Sequence, residues 1–307
     1  MSGIITAGGL ATRFYPVTRG TNKHLLQVYD QAMIQKPIQY LANAGIKDII
    51  IVSSPHQLQY FGNVLESAEA RERIGETRIH YARQENPTAG IADAIKCARE
   101  HCTTRDRTGN VQFVDDICVV LGDNIFEDEN FLKKPMEEFR GGAVAFVKRK
   151  KTDENLFEKT SSGGYKAKFG MIQRGEDGQL EDLVEKPQAY VVNDEPMLLH
   201  PFQTKEVVVG AYILGSEHHE NVFDRINLLQ KSERGQYEIT DLLKGYLAQH
   251  RLKTVAVEGY WYDCGTPENM LIAATMEMAK QMAKYCGKDG REVITEFLER
   301  VKRHMDE

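Results

Sequence analysis

Apolar positions in the first 150 residues follow two alternating rhythms. Short apolar runs close on glycine or polar turns: residues 3–7 before Gly8-Gly9, 48–53, 78–83, 117–121 before Gly122-Asp123-Asn124, and 143–147. The second holds Ile49, Ile50, Ile51 and Val52 in succession, a β-branched run suited to a strand covered on both faces, as in a parallel sheet. Between these runs lie helical spacings: 37–44 with Gly45 as its stop, 56–70, and Ile91, Ile95, Ala98 and Cys102. This βαβα order predicts parallel strands joined by right-handed crossovers. The expected fold is α/β, with a doubly wound, mixed but mostly parallel sheet, helices on both faces, and ligands at the carboxyl ends of the strands.

The rhythm changes near residue 150. Residues 153–166 are polar and carry Ser161-Ser162-Gly163-Gly164, which predicts a mobile loop. Residues 169–173 and 180–185 flank Asp177-Gly178 and predict a hairpin. Residues 188–205 read as a second long excursion, 207–214 as a strand, 238–249 as a helix, and 254–257 and 261–262 as late strands. Thr266-Pro267-Glu268 has the cap, first-turn proline and early acid of a helix start. That helix is expected to reach Tyr285, to break over 287–290 and to resume over 293–305. The predicted organisation is a main domain over 1–265, with a first part to about 150 and a second over 151–265, and a helical tail over 266–307.

Composition narrows the function classes. The 307 residues are 41% hydrophobic and 27% charged, ordinary for a soluble globular chain. A net charge of -6 argues against nucleic acid as a partner, so any attraction for phosphate must be local. The opening MSGIITAGG lacks the order of a signal peptide, and no apolar stretch approaches the ~20 residues of a membrane helix. Cys97, Cys102, Cys118, Cys264 and Cys286 are odd in number and widely spaced, which predicts free thiols in a reducing cytoplasm.

The richest chemistry follows the first strand: Gly8-Gly9-Leu10-Ala11-Thr12-Arg13, then Lys23. A glycine pair after a strand lets backbone amides approach a phosphate chain. Arg13 can fork onto phosphate oxygens, and Lys23 adds a point charge. The patterns GxGxxG and GxxxxGK[ST] are both absent there, which disfavours a nicotinamide dehydrogenase and an ordinary P-loop NTPase. The stretch from Ala7 through Arg13-Phe14-Tyr15-Pro16-Val17-Thr18, with Lys23-His24-Leu25-Leu26, resembles the opening signature of the sugar-nucleotide pyrophosphorylases. It is most similar to the glucose-1-phosphate thymidylyltransferases, and the likeness recurs in blocks to about Gly265.

The resemblance implies a Rossmann-like nucleotidyltransferase fold, a catalytic domain over 1–265 and a set of roles. Gly8, Gly9, Ala11, Thr12 and Arg13 wrap the triphosphate, while Arg13 and Lys23 stabilise phosphates during transfer. Gln84 and Gly90, in Gln84-Glu85-Asn86-Pro87-Thr88-Ala89-Gly90, meet the base. A glutamine amide can donate and accept at once, as the imide of thymine or uracil requires. Asp123 in Gly122-Asp123-Asn124 and Asp263 in Trp261-Tyr262-Asp263-Cys264-Gly265 share one Mg²⁺, a cation that takes carboxylates together with phosphate oxygens. Lys186 of Glu185-Lys186-Pro187 meets the sugar phosphate and Glu185 the sugar hydroxyls. Asn124, Gly170, Val209 and Gly210 fall in the blocks that line the sugar-phosphate pocket. Arg234-Gly235-Gln236-Tyr237-Glu238-Ile239-Thr240-Asp241 matches a further family block and also reads as a capped helix start.

The chain departs from the family pattern at Ala11 (usually Gly), Gln27 (usually Pro) and Thr6 (usually apolar). If position 11 needs a positive φ, Ala costs about 1 kcal/mol there relative to Gly. The implied reaction condenses a sugar 1-phosphate, foremost glucose 1-phosphate, with dTTP or UTP and releases pyrophosphate. Its nucleophile is already charged, so alignment and charge stabilisation suffice and no catalytic histidine is required. Two alternatives stand beside it: the same fold with a different phosphorylated substrate or base, and a non-catalytic sugar-nucleotide-binding paralogue. The family also implies a homo-oligomer, dimer or tetramer.

Overall fold

The computed structural model describes residues 1–105, 111–113, 116–150, 156–160, 162–192, 195–198, 205–216, 220–287 and 289–305. Four strands form the parallel half of a nine-stranded sheet: β1 (Ser2–Thr6), β2 (Asp48–Ser53), β3 (Arg78–Arg83) and β4 (Ile117–Leu121). β1 lies at the centre, between β2 and β4, with β3 outside β2. Alternation along these strands divides the core between the two faces. Ile5, Ile49, Ile51 and Val120 pack with Ile34, Ile38 and Leu41 on one side. Ile4, Ile50, Val52 and Val119 pack with Ala92, Ile95 and Leu243 on the other. The β-branched run at 49–52 is therefore covered on both faces. Helices α1 (Gln35–Asn43) and α2 (Pro55–Leu65) serve the first face; α3 (Ile91–Cys97) and α4 (Ile239–Ala248) serve the second. The segment expected as one helix over 56–70 divides instead, with Ser67 capping a new helix at Ala68–Ile74.

The other half of the sheet is mostly antiparallel. A short strand, β5 (Asn124–Phe126), leaves the turn after β4. β6 (Ala143–Arg149) does not continue the parallel series beside β4. A later strand, Glu206–Leu214, inserts antiparallel between them. The excursions after residue 150 are folded where they are described. Phe157–Lys159 (β7), Tyr165–Ala167 (β8), Gln188–Val192 (β11) and Glu195–Leu198 (β12) form a second, four-stranded sheet around the hairpin Met171–Arg174 (β9) and Leu180–Val184 (β10). The expectation of a mobile loop over 153–166 is thus corrected, and the long excursion expected over 188–205 carries two strands of this sheet; residues 151–155, 161, 193–194 and 199–204 lie outside the described residues. The strands of this small sheet are short and lie over solvent, with Tyr190, Val191 and Met197 exposed. They lack the long buried face that makes a strand recognisable from alternation.

Glu206–Leu214 is β13, and two later strands follow it: β14 (Leu252–Ala256), parallel to β6, and β15 (Trp261–Asp263), antiparallel to β5. Helix α5 (Pro267–Cys286) starts on the Thr266 side chain, which accepts from the Asn269 amide at 3.3 Å, and ends at Gly287 with φ +66°. Helix α6 is Gly290–Met305. Inside the fold, Lys36 of α1 and Glu277 of α5 pair at 2.5 Å with both side chains almost fully buried, and Tyr260 donates to the same carboxylate at 2.6 Å. Removing one member of such a pair would strand a buried charge, so this contact fixes α5 against the strand that carries Asp263. No helix among the described residues is long and apolar enough to cross a membrane.

Candidate active site

A cleft of about 340 Å³ opens at the carboxyl ends of β1 and β4 and reaches across to β13 and β15. Its first wall is the loop after β1. The Asn22 amide donates to the Ala7 carbonyl at 3.0 Å and its oxygen accepts from the His24 amide at 2.8 Å, tying the start of the loop to its end. A Cβ at Gly8 would lie 2.7 Å from Gln84 Oε1, so a side chain there would have to displace the Gln84 amide. Ala11 has φ 50° and ψ 34°. The left-handed conformation anticipated at this position is real, and alanine holds it at the usual steric cost. Thr18 Oγ1 donates to the Ala11 carbonyl at 3.0 Å and steadies it.

The floor is an ionic cluster. Lys23 Nζ and Asp123 Oδ2 are 2.5 Å apart, each largely out of solvent. Burial works against both charges, but each holds the other ionised: the Lys23 ammonium draws the Asp123 carboxyl down, and Asp123 raises Lys23. Asp263 comes to the same place through β-pairing, since it stands opposite Asn124 and the Cys264 amide donates to the Asp123 carbonyl at 2.8 Å. Burial, then the neighbouring Asp123, pushes Asp263 up to about 6. Two half-buried acids facing one cation leave an excess of negative charge. His24 lies under this floor, fully enclosed, with burial and then Lys23 pushing it down to about 3. It is a neutral packing group against Gly122, whose Cβ would meet its ring at 2.7 Å.

Asn124 is 2% exposed and its amide makes three hydrogen bonds. Its oxygen accepts from Trp261 Nε1 at 2.7 Å and from the Gly210 amide at 3.1 Å; its nitrogen donates to Asp123 Oδ1 at 3.0 Å. One side chain thus joins β5, β13 and β15 behind the carboxylates. On the far wall Glu185 is held at both oxygens: Arg234 donates to Oε1 at 2.8 Å and Thr240 to Oε2 at 2.5 Å. Lys186 stands beside it with φ 43°, its charge disfavoured by burial and by Arg234.

Most residues singled out from the sequence meet in this cleft: Gly8, Gly9, Lys23, Gln84, Gly90, Asp123, Asn124, Gly170, Glu185, Lys186, Gly210 and Asp263 all line it. Four do not. Val209 points into the core and Val208 faces the cleft in its place, as the period of a strand requires. Ala11 and Thr12 belong to the loop beyond the cleft wall. The Arg13 side chain is 62% exposed and pairs with Glu158 of the small sheet at 3.1 Å. Phe169, in the segment expected to line the sugar pocket, does line the cleft, whereas the sequence assigned no role to Lys168, Thr240 or Trp261, which line it too. Thr240 had a signal, being part of the recognised block at 234–241; Lys168 had none.

Residues 2–281 match the model of the nucleotidyl transferase family. The chain belongs to that family. A glucose-1-phosphate thymidylyltransferase of Neisseria gonorrhoeae is 32% identical over 285 residues, 92% of this chain and 84% of the relative. A Bacillus anthracis structure provisionally described as a glucose-1-phosphate thymidylyltransferase, solved with sucrose, aligns with a TM-score of 0.68 at 29% identity, covering 90% of this chain and 94% of that one. A UDP-glucose pyrophosphorylase complexed with UDP-glucose aligns with a TM-score of 0.69 over 91% of this chain and 98% of that one, at 20% identity, a likeness of fold. This nucleotidyl transferase therefore shares the architecture across nearly its whole length, and its cleft sits where open α/β sheets bind ligands.

Proposed function

We propose that the enzyme condenses dTTP or UTP with a sugar 1-phosphate, foremost glucose 1-phosphate, and releases pyrophosphate. The observation that carries this reading is the cleft floor: two half-buried acids, Asp123 and Asp263, face Lys23, below a glycine loop on one wall and Lys186 on the other. The acids come from separate strand ends, and Asp263 is held up by burial and then by its neighbour's charge. Such an oxygen-donor pair suits a hard divalent cation, and Mg²⁺ bound there would supply charge neutralisation for phosphate oxygens.

The chain's own groups do the rest. Backbone amides of Gly8 and Gly9 accommodate the triphosphate. Lys23 and Lys186 draw the two phosphate groups together, so that an oxygen of the sugar phosphate meets the α-phosphorus. The new P–O bond forms as the bond to the bridging oxygen breaks, and pyrophosphate departs with that electron pair. Arg13 neutralises the departing group once it exchanges Glu158 for phosphate. Thr240 and Arg234 aim Glu185 at the sugar hydroxyls. Asn124, placed by the sequence in the sugar-phosphate pocket, is better read as the brace of Asp123. Alignment and preset charge carry the rate.

The same reading keeps the catalytic unit at 1–265 and the tail at 266–307. It also places the enzyme in the cytoplasm as a homo-oligomer. The exposed Tyr285 and Leu298 of the terminal helices offer apolar surface for self-association. A panel of nucleoside triphosphates against sugar 1-phosphates, read by pyrophosphate release with Mg²⁺ present, tests the assignment. Turnover with dTTP or UTP and glucose 1-phosphate is expected; turnover confined to purine triphosphates would overturn the choice of base.

A further inference from the structure

Gln84 is 3% exposed, and its amide is not free to choose an orientation. Its nitrogen lies 3.0 Å from Asp93 Oδ2 and 3.3 Å from the Gly90 carbonyl. A carboxylate and a carbonyl can only accept, so both hydrogens of the Gln84 NH₂ are committed to them. The opposite orientation would set the Gln84 oxygen against two other oxygens, at a cost comparable to leaving buried polar groups unpaired. Oε1 is therefore turned towards the cleft, against the Gly8 backbone. Among the described residues no donor reaches it.

We propose that Asp93 is a positioning residue that fixes Gln84 as an acceptor only, and so restricts the enzyme to bases with a ring N–H on the edge Gln84 meets. This rests on the reading of Gln84 as a base contact. Thymine and uracil carry such an N–H at N3; cytosine presents a lone pair there, which would face the Gln84 oxygen without a proton between them. Asp93 does this from the first turn of α3, outside the residues that line the cleft. Gly90 contributes the second acceptor and is itself fixed: φ is +103°, and a Cβ would lie 2.5 Å from the Tyr237 carbonyl. The polarity of the base pocket is thus set by one replaceable carboxylate and one backbone oxygen.

The test is the ratio of kcat/KM for a uracil or thymine triphosphate over its cytosine counterpart, UTP against CTP and dTTP against dCTP, in the full-length enzyme. The unaltered enzyme is expected to prefer the N–H base by about 100-fold or more, since a site built for one hydrogen bond rejects the analogue lacking it. In Asp93→Asn the new NH₂ can donate to a reversed Gln84, so the preference is expected to fall at least about tenfold. Asp93→Ala, which removes the carboxylate acceptor and leaves only the Gly90 carbonyl, is expected to lower it in the same direction. A purely structural role for Asp93 would lower kcat/KM for both triphosphates in parallel and leave the ratio unchanged, and that result would overturn the proposal. Gln84→Ala separates the two levels. If it abolishes the preference while the Asp93 variants keep it, only the lock fails. If Gln84→Ala itself keeps the preference, Gln84 does not read the base, and both the lock and the reading beneath it fall.

Discussion

The two walls of the cleft are built by different means. The wall proposed for the nucleotide grows from parallel strand ends and presents largely backbone: Gly8 and Gly9 after β1, Gly90 before α3, and one amide, Gln84. The sugar wall grows from antiparallel strands and is made of side chains that hold one another. Glu185 is gripped by Arg234 and Thr240, each about 50 residues away in sequence (separations of 49 and 55). Arg13, outside the cleft lining, pairs with Glu158 of the small sheet. A wall made of backbone tolerates few residue types and leaves a compact motif. A wall made of mutual charge pairs can be rebuilt with other residues, which is where substrate choice can drift without loss of the fold.

The ionic floor belongs to both walls, and breaking it should have the largest effect. Asp123→Asn removes the negative partner of a buried lysine and one of the paired acids; kcat is expected to fall about 1000-fold, measured by pyrophosphate release across a Mg²⁺ titration. Arg13→Ala comes next. Loss of one stabilising donor is expected to cost at least about 100-fold in turnover, with little change in thermal midpoint because the side chain is mostly exposed. Near-normal activity would remove Arg13 from the mechanism and leave it as a surface bridge to Glu158.

The remaining two predictions separate the walls. Thr240→Val keeps the shape of the side chain and deletes its bond to Glu185. The KM for the sugar 1-phosphate is expected to rise about tenfold, in line with one lost charge-assisted bond, while the KM for the triphosphate stays put. A parallel rise in both would show that the walls are not independent. Ala11→Gly relaxes the one strained residue of the glycine loop. It is expected to stabilise the enzyme by about 1 kcal/mol, a rise of about 2 °C in melting midpoint, without altering the base preference.

The parallel half of the fold was legible because its signals are local. Ile49 to Val52 must be covered on both faces wherever they sit, and a glycine pair after a strand has few other uses. The left-handed residue at position 11 could be anticipated from the family's preference for glycine there. What the sequence concealed arises from chain crossings. The Glu206–Leu214 strand looks like any apolar run, and nothing local says that it inserts between β4 and β6. The small sheet of β7, β8, β11 and β12 is not legible because its strands are short and expose Tyr190, Val191 and Met197, while only a few of its residues, such as Ala167, reach the core. Asn124 looked like a ligand contact; only the approach of Trp261 and Gly210 turns it into a brace. Gln84 was legible as an amide able to donate and accept, and Asp93 in space removes one of those options.

The central claim is that the cleft transfers a nucleotidyl group to a sugar phosphate. ³¹P NMR of the enzyme with dTTP, glucose 1-phosphate and Mg²⁺ tests it most directly. The account predicts that the monoester signal of glucose 1-phosphate is replaced by the paired signals of a nucleoside diphosphate sugar, with one pyrophosphate formed for each. Shifted triphosphate signals from tight binding, with no pyrophosphate and no new diphosphate linkage under any base tested, would contradict it and leave a nucleotide-binding protein in place of an enzyme.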